Sequence, residues 1–209
     1  MDKTHRLTIV AWVLGLAVIL AAITVWIGTL HGIFRLNSYV VFPLLGLLAF
    51  SLMWTHYIIG ALRRFYNVPK KELASYFKIT GIVVLASILL HPTILIFQLW
   101  RDGFGLPPES YLEHYVAPGG KIAVLLGSMS FVIFLLFELK AKFGSRSWWK
   151  FVDYAQVAAM TAIFYHALTL GSALQVDWYR TLWFIYGITF IIAVSYIYVF
   201  SSAVRGSKV

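Results

Sequence analysis

The chain has no cysteine in its 209 residues. That excludes disulfides, iron–sulfur clusters, thiolate-ligated haem, covalent C-x-x-C-H attachment and thiol redox chemistry. Charge is also scarce. Only 12% of residues are charged, against about a quarter in a soluble domain. Acidic residues are fewest, eight against seventeen Lys and Arg, for a formal net charge of +9. No P-loop, HExxH, GxSxG or GxGxxG occurs, so the chain has no domain of its own for a nicotinamide cofactor. The last apolar stretch, TLWFIYGITFIIAVSYIYVF, has no lysine for a retinal Schiff base.

What fills the chain is apolar: 61% of residues are hydrophobic. Several runs exceed the eighteen or so residues that read as a spanning helix. The pattern predicts an all-α membrane protein, one domain over 1–209, built as a six-transmembrane-helix bundle. The spans are expected near 7–30, 39–62, 78–99, 120–139, 151–173 and 180–202. The first is too long for a signal-peptide core and reads as a retained helix. Basic residues alternate between the two sides. One set of connections holds thirteen of the seventeen, including Arg63, Arg64, Lys70, Lys71 and Lys78; the other holds only Arg35, Arg101, Lys121 and Arg180. The positive-inside rule then puts both termini in the cytoplasm, and the expected location is the plasma (inner) membrane of a prokaryote. Contact with anionic membrane lipid suffices for the positive charge, and nucleic acid is not an expected partner.

His91 and His166 lie inside apolar runs, in SILLHPTIL and AIFYHALTL. A histidine in hydrocarbon is costly unless partnered. His91 follows Lys78 by thirteen residues, and His166 follows Val152 by fourteen. At about 1.5 Å per residue both sit roughly 20 Å from the inner boundary. Spans three and five run the same way, so the depths match whatever the tilt. A single such histidine is as often a hydrogen-bonded packing residue. Two level histidines on co-directional helices are candidate axial ligands of haem iron. Pro92 next to His91 removes a backbone hydrogen bond and is expected to kink the helix there.

His56 falls in the inner half, near the depth of Asp153 at the start of span five. The pair is a candidate proton path or quinone site. The blander reading is preferred, in which His56 bonds a neighbouring helix and Asp153 pairs with a loop lysine. The long connection WRDGFGLPPESYLEHYVAPG is expected to fold over the mouth of the bundle. In it Arg101 is a weak candidate for holding a haem propionate, because its fork suits a carboxylate. His114, Tyr111 and Tyr115 are candidates for lining the same mouth, and His31 reads as interfacial. Trp100, Trp148, Trp149, Trp178 and Tyr179 read as interfacial belts. Gly81, Gly127, Ser128 and Ala155, Ala158 and Ala159 read as small residues that let helices approach. No internal repeat is visible.

Haem histidines on spans three and five of a six-span bundle resemble the ferric-reductase-like transmembrane domain. The resembling stretch runs from about Leu62 to Gly171, through LRRFYNVPKK, ILLHPTIL and GSRSWWKFVDYAQVAAMTAIFYHAL. In size the chain is most similar to the haem-bearing membrane subunit of the bacterial methionine sulfoxide reductase system. The resemblance implies an oxidoreductase component. Two-haem members carry inner histidines where this chain has Phe77 and Lys78 on span three and Asp153 on span five. What is implied is therefore one haem b, near the outer face, bound by His91 and His166. Electrons would come from a separate donor flavoprotein, from a bound flavin (FMN) or from quinol. They would pass to an outer-side acceptor protein, a ferric chelate or oxygen. The alternative is a cofactor-free small transporter or an accessory membrane subunit, with histidines used for proton coupling or packing.

Overall fold

The computed structural model describes residues 2–30, 37–116, 118–143 and 149–200, with backbone alone at 114, 115, 118, 140–143, 150 and 200. His31, Arg35, Arg146, Trp148, Arg205 and Lys208 lie outside the described residues, as do the side chains of His114 and Tyr115. Among the described residues no strand occurs. Six long helices follow one another: α1 (Lys3–Gly28), α2 (Ser38–Phe65), α3 (Ala74–Arg101), α4 (Lys121–Phe143), α5 (Lys150–Leu170) and α6 (Asp177–Ser195). Five of them, all but α5, are long and apolar enough to cross a membrane. α5 has 21 residues, but Asp153, Gln156 and His166 interrupt its apolar character. Large apolar side chains on the outside, such as Val13, Leu16 and Leu20 on α1 and Ile79 and Ile82 on α3, are half or more exposed. So much exposed apolar surface has lipid as its natural solvent. The chain is an integral membrane protein of helical build.

Two helix ends depart from the expected spans. α3 begins at Ala74, four residues before Lys78, after Pro69 and a 3-10 turn at Lys70–Leu73. Lys70, Lys71 and Glu72 lie just before α3 and Lys78 just after its first turn, so charge hides the start of α3 from hydropathy. α5 stops at Leu170, short of 173, where Gly171 and a second 3-10 turn at Ser172–Gln175 lead into α6. α2 ends with Asn67 in the left-handed region at φ 56°. There the Val68 N–H reaches back to the Arg63 carbonyl at 2.9 Å, a paired end for carbonyls that would otherwise be orphaned. Gly103 at φ 87° closes α3 the same way. α3 runs unbroken through Pro92, so the proline costs one hydrogen bond and not the helix.

α2 is the centre of the molecule, with half of its apolar window buried. On one side it meets α1 and α3 through Tyr76, which is 1% exposed. The Thr55 hydroxyl gives its hydrogen to the Leu52 carbonyl at 2.7 Å. The Tyr76 hydroxyl must therefore be the donor in its 2.6 Å bond to Thr55. Gly15 of α1 leaves room for the same ring. On the other side α2 stacks on α6, through Phe50 on Trp183 and Trp54 against Tyr186, each pair with ring centroids 4.3 Å apart. The Trp54 indole also donates to the Thr189 hydroxyl at 3.0 Å.

Two antiparallel hairpins frame the rest. α2 packs along α3, and α4 along α5, while α3 has no comparable packing on α4 or α5. In the second hairpin the Ser130 hydroxyl donates to the Ala159 carbonyl at 3.2 Å. Phe164 of α5 reaches α6 in the space left by Gly187.

Candidate functional site

His91 and His166 occupy equivalent places in the two hairpins. His91 stands seventeen residues beyond the start of α3 and His166 sixteen beyond the start of α5, about 25 Å along each helix. His91 Nδ1 lies 2.7 Å from the Phe42 carbonyl oxygen of α2. His166 Nδ1 lies 2.7 Å from the Ala123 carbonyl oxygen of α4. A carbonyl can only accept, so both Nδ1 atoms carry the proton. In a neutral ring the lone pair then belongs to Nε2, the nitrogen left for a metal.

Each ring also rests on a glycine one turn beyond its acceptor. A Cβ added at Gly46 would stand 2.9 Å from His91 Cε1, and one at Gly127 would stand 2.6 Å from His166 Nδ1. The spacing from acceptor to glycine is four residues in both, Phe42 to Gly46 and Ala123 to Gly127. One device, a carbonyl plus a glycine seat on the first helix and an imidazole on the second, is used twice. The two histidines and Gly127 were legible in the sequence; the repeat, the acceptors Phe42 and Ala123, and Gly46 were not. Gly127 is a small residue at the approach of α5 to α4, and the side chain that uses its space is the His166 imidazole. The two rings are near enough for their charges to act on one another.

His56 has the opposite tautomer. Its Nε2 lies 2.7 Å from the Thr80 hydroxyl, and Thr80 gives its only hydrogen to the Tyr76 carbonyl at 2.6 Å. His56 Nε2 must therefore donate, and Nδ1 keeps the lone pair. The ring sits edge-on to Tyr76 and Phe77. Asp153 is close enough to Tyr57 and Tyr198 to act on their charges. Those tyrosines and His56 share one cavity of about 550 Å³ at the basic end of the bundle. His56 and Asp153 thus border the same region.

Arg101 ends α3 ten residues beyond His91, about 15 Å along the axis. It donates to the Gln98 amide oxygen at 3.0 Å and stands 3.9 Å from the Asp102 carboxylate. Its side chain is 59% exposed, so that ion pair is worth little. Asp102 is better held. Gln98 donates to both of its oxygens at 2.9 and 3.0 Å, and the Tyr39 hydroxyl donates at 2.7 Å. Hydrogen bonds from Gln98 first, and then from Tyr39, hold the Asp102 carboxyl below its ordinary range. In the long connection, the helical turn at Ser110–Tyr115 puts Tyr111 on a cluster of Phe42, Leu95 and Leu99. The loop thereby covers the residue whose carbonyl holds His91.

No group of three or more His, Cys, Asp or Glu that could enclose a metal ion occurs among the described residues. A metal at His91 and His166 would need its remaining ligands from groups other than these side chains. The two imidazoles are of a kind that suits haem, each with Nδ1 committed to a carbonyl and Nε2 as the remaining donor. No family model matches the chain, and no characterised protein or solved structure is similar to it.

Proposed function

We propose that this is a haem b-containing transmembrane electron-transfer protein, with His91 and His166 as the axial ligands of one haem. The observation that carries the reading is the matched pair of Nδ1–carbonyl hydrogen bonds. A ligating histidine ordinarily donates its second nitrogen to a carbonyl or carboxylate, which fixes the ring and raises its basicity. Two backbone acceptors do this without a competing charge in hydrocarbon. α3 and α5 are not packed on one another as α2 is on α3 or α4 on α5, and in this reading a planar group lies between the hairpins.

In this reading α5 crosses the membrane with the other five helices. The polar residues that lower its hydropathy face the bundle. Both termini are cytoplasmic, the basic end faces the cytoplasm of a prokaryote, and the histidine pair lies in the outer half of the plasma membrane. A haem held there would supply one-electron transfer. His91 and His166 would hold the group, and the Phe42 and Ala123 carbonyls keep their rings from turning. Arg101 remains a weak candidate for a propionate, with part of its donor fork already given to Gln98. The reading makes the chain a ferric-reductase-like oxidoreductase component, with its donor on the basic side and its acceptor opposite.

One observation favours the cofactor-free alternative: each histidine already has a hydrogen-bond partner, as a packing residue would. The optical spectrum separates the two. Protein purified from haem-replete cells is expected to be red, with a Soret band that shifts on reduction by dithionite. A colourless preparation favours the alternative.

A further inference from the structure

We propose that the cavity at the basic end binds a phospholipid of net negative charge from the membrane, and that Lys70 and Lys78 hold its phosphate. The cavity lies between the two hairpins and encloses about 550 Å³. It is separate from the histidine pair, and the proposal does not rest on haem.

Its walls divide by chemistry. Arg63, Arg64, Lys70 and Lys78 line it, against Glu138 as the carboxylate of the lining, with Asp153 near its tyrosines. Arg63 and Arg64 spend donors on the carbonyls of Val68 and Gly60, at 3.3 and 3.0 Å. Lys70 and Lys78 have no carboxylate partner among the described residues. Cations that outnumber the carboxylates at the end of a bundle are a seat for an anion. The remaining wall is apolar, from Phe77, Ile82, Leu85 and Phe137. Ile82 is also 60% exposed on the lipid face of α3. The cavity therefore opens toward the bilayer, where α3 lacks close packing on α4, and an acyl chain can enter from the side.

A further observation points to an occupant. Tyr57 lines the cavity, and its hydroxyl is buried without a hydrogen-bond partner. A buried unpaired hydroxyl costs free energy. A turn of the Tyr57 side chain toward the cavity would let it donate to a phosphate or ester oxygen of an occupant. His56 Nδ1, an acceptor, suits a hydroxyl of the same headgroup.

The test uses the full chain purified in mild detergent and placed in nanodiscs of phosphatidylcholine with or without phosphatidylglycerol. The chain is then released into detergent and washed exhaustively, bound phosphorus per chain is measured, and native mass spectrometry gives the mass of the retained species. The expected result is a retained phosphatidylglycerol, extracted into organic solvent. Its retention should fall about tenfold in the Lys70→Gln, Lys78→Gln double variant. The Lys70→Arg, Lys78→Arg variant should keep it, which separates loss of charge from loss of fold. Phosphorus that partitions into water and carries ring absorbance would overturn the lipid as occupant and would identify a soluble phosphorylated cofactor in its place. Equal phosphorus in the wild type and the Gln variant, or none above the phosphatidylcholine control, overturns the proposal. A haem spectrum from the same samples reports separately on His91 and His166.

Discussion

The imidazole of His166 fills the place a side chain at Gly127 would occupy, with 2.6 Å from an added Cβ to Nδ1. Gly46 stands in the same relation to His91, at 2.9 Å from Cε1. Both distances are below any ordinary contact, so an alanine must displace the ring or the helix. Overpacking of this kind costs about 1–3 kcal/mol. Gly127→Ala is expected to lower haem per chain more than Gly46→Ala, because its clash is tighter and falls on the hydrogen-bonded nitrogen. Haem quantified per chain in the two variants checks the order; equal, unchanged content in both would show that the glycine seats do not position the rings.

The Tyr76–Thr55 hydrogen bond predicts an asymmetry. Tyr76→Phe removes the donor and leaves Thr55 still bonded to Leu52, a loss of about 1 kcal/mol. Thr55→Val removes the acceptor and strands a buried phenol, at about 1–3 kcal/mol. Thermal unfolding in detergent should rank Thr55→Val as the less stable. The opposite order would contradict the assigned donor direction.

Asp102 predicts an acid limb of stability. Its carboxyl is held below its ordinary value of 3.8 by the hydrogen bonds of Gln98 and Tyr39. A group whose folded pKa is lowered stabilises the fold above the unfolded value and loses that contribution as pH falls through the folded one. Local protection at the C-terminal end of α3 should therefore be constant near neutrality and decline below about pH 3.8. Asp102→Asn should flatten that decline in hydrogen exchange. An unchanged profile would mean that the carboxylate is not the group that titrates.

Much of this was legible in the chain itself. Hydropathy marks the helices, because lipid requires long apolar runs. Counting from Lys78 and Val152 levels His91 with His166, because helical rise is uniform. The helix ends at Ala74 and Leu170 were not legible, since Lys70, Lys71, Glu72 and Lys78 surround the start of α3 with charge, and 3-10 turns carry no hydropathy signal. Neither were the acceptors of the two histidines. Phe42 and Ala123 act through backbone carbonyls, which every residue has, so no side-chain pattern marks them. Gly46 and Gly127 gain meaning only once the hairpin partners are known. The cavity at the basic end was legible as charge and not as space. Arg63, Arg64, Lys70 and Lys78 read as topology until α3 proved to stand apart from α4.

The central claim is that the matched histidines bind one haem between them. The most direct test is haem iron per chain in the wild type, His91→Ala, His166→Ala and His56→Phe, each expressed with ample haem supply. The account predicts one haem per chain in the wild type and in His56→Phe. It predicts loss of the b-type reduced-minus-oxidised spectrum in both alanine variants. Full haem content and an unchanged spectrum in His91→Ala and His166→Ala would contradict it.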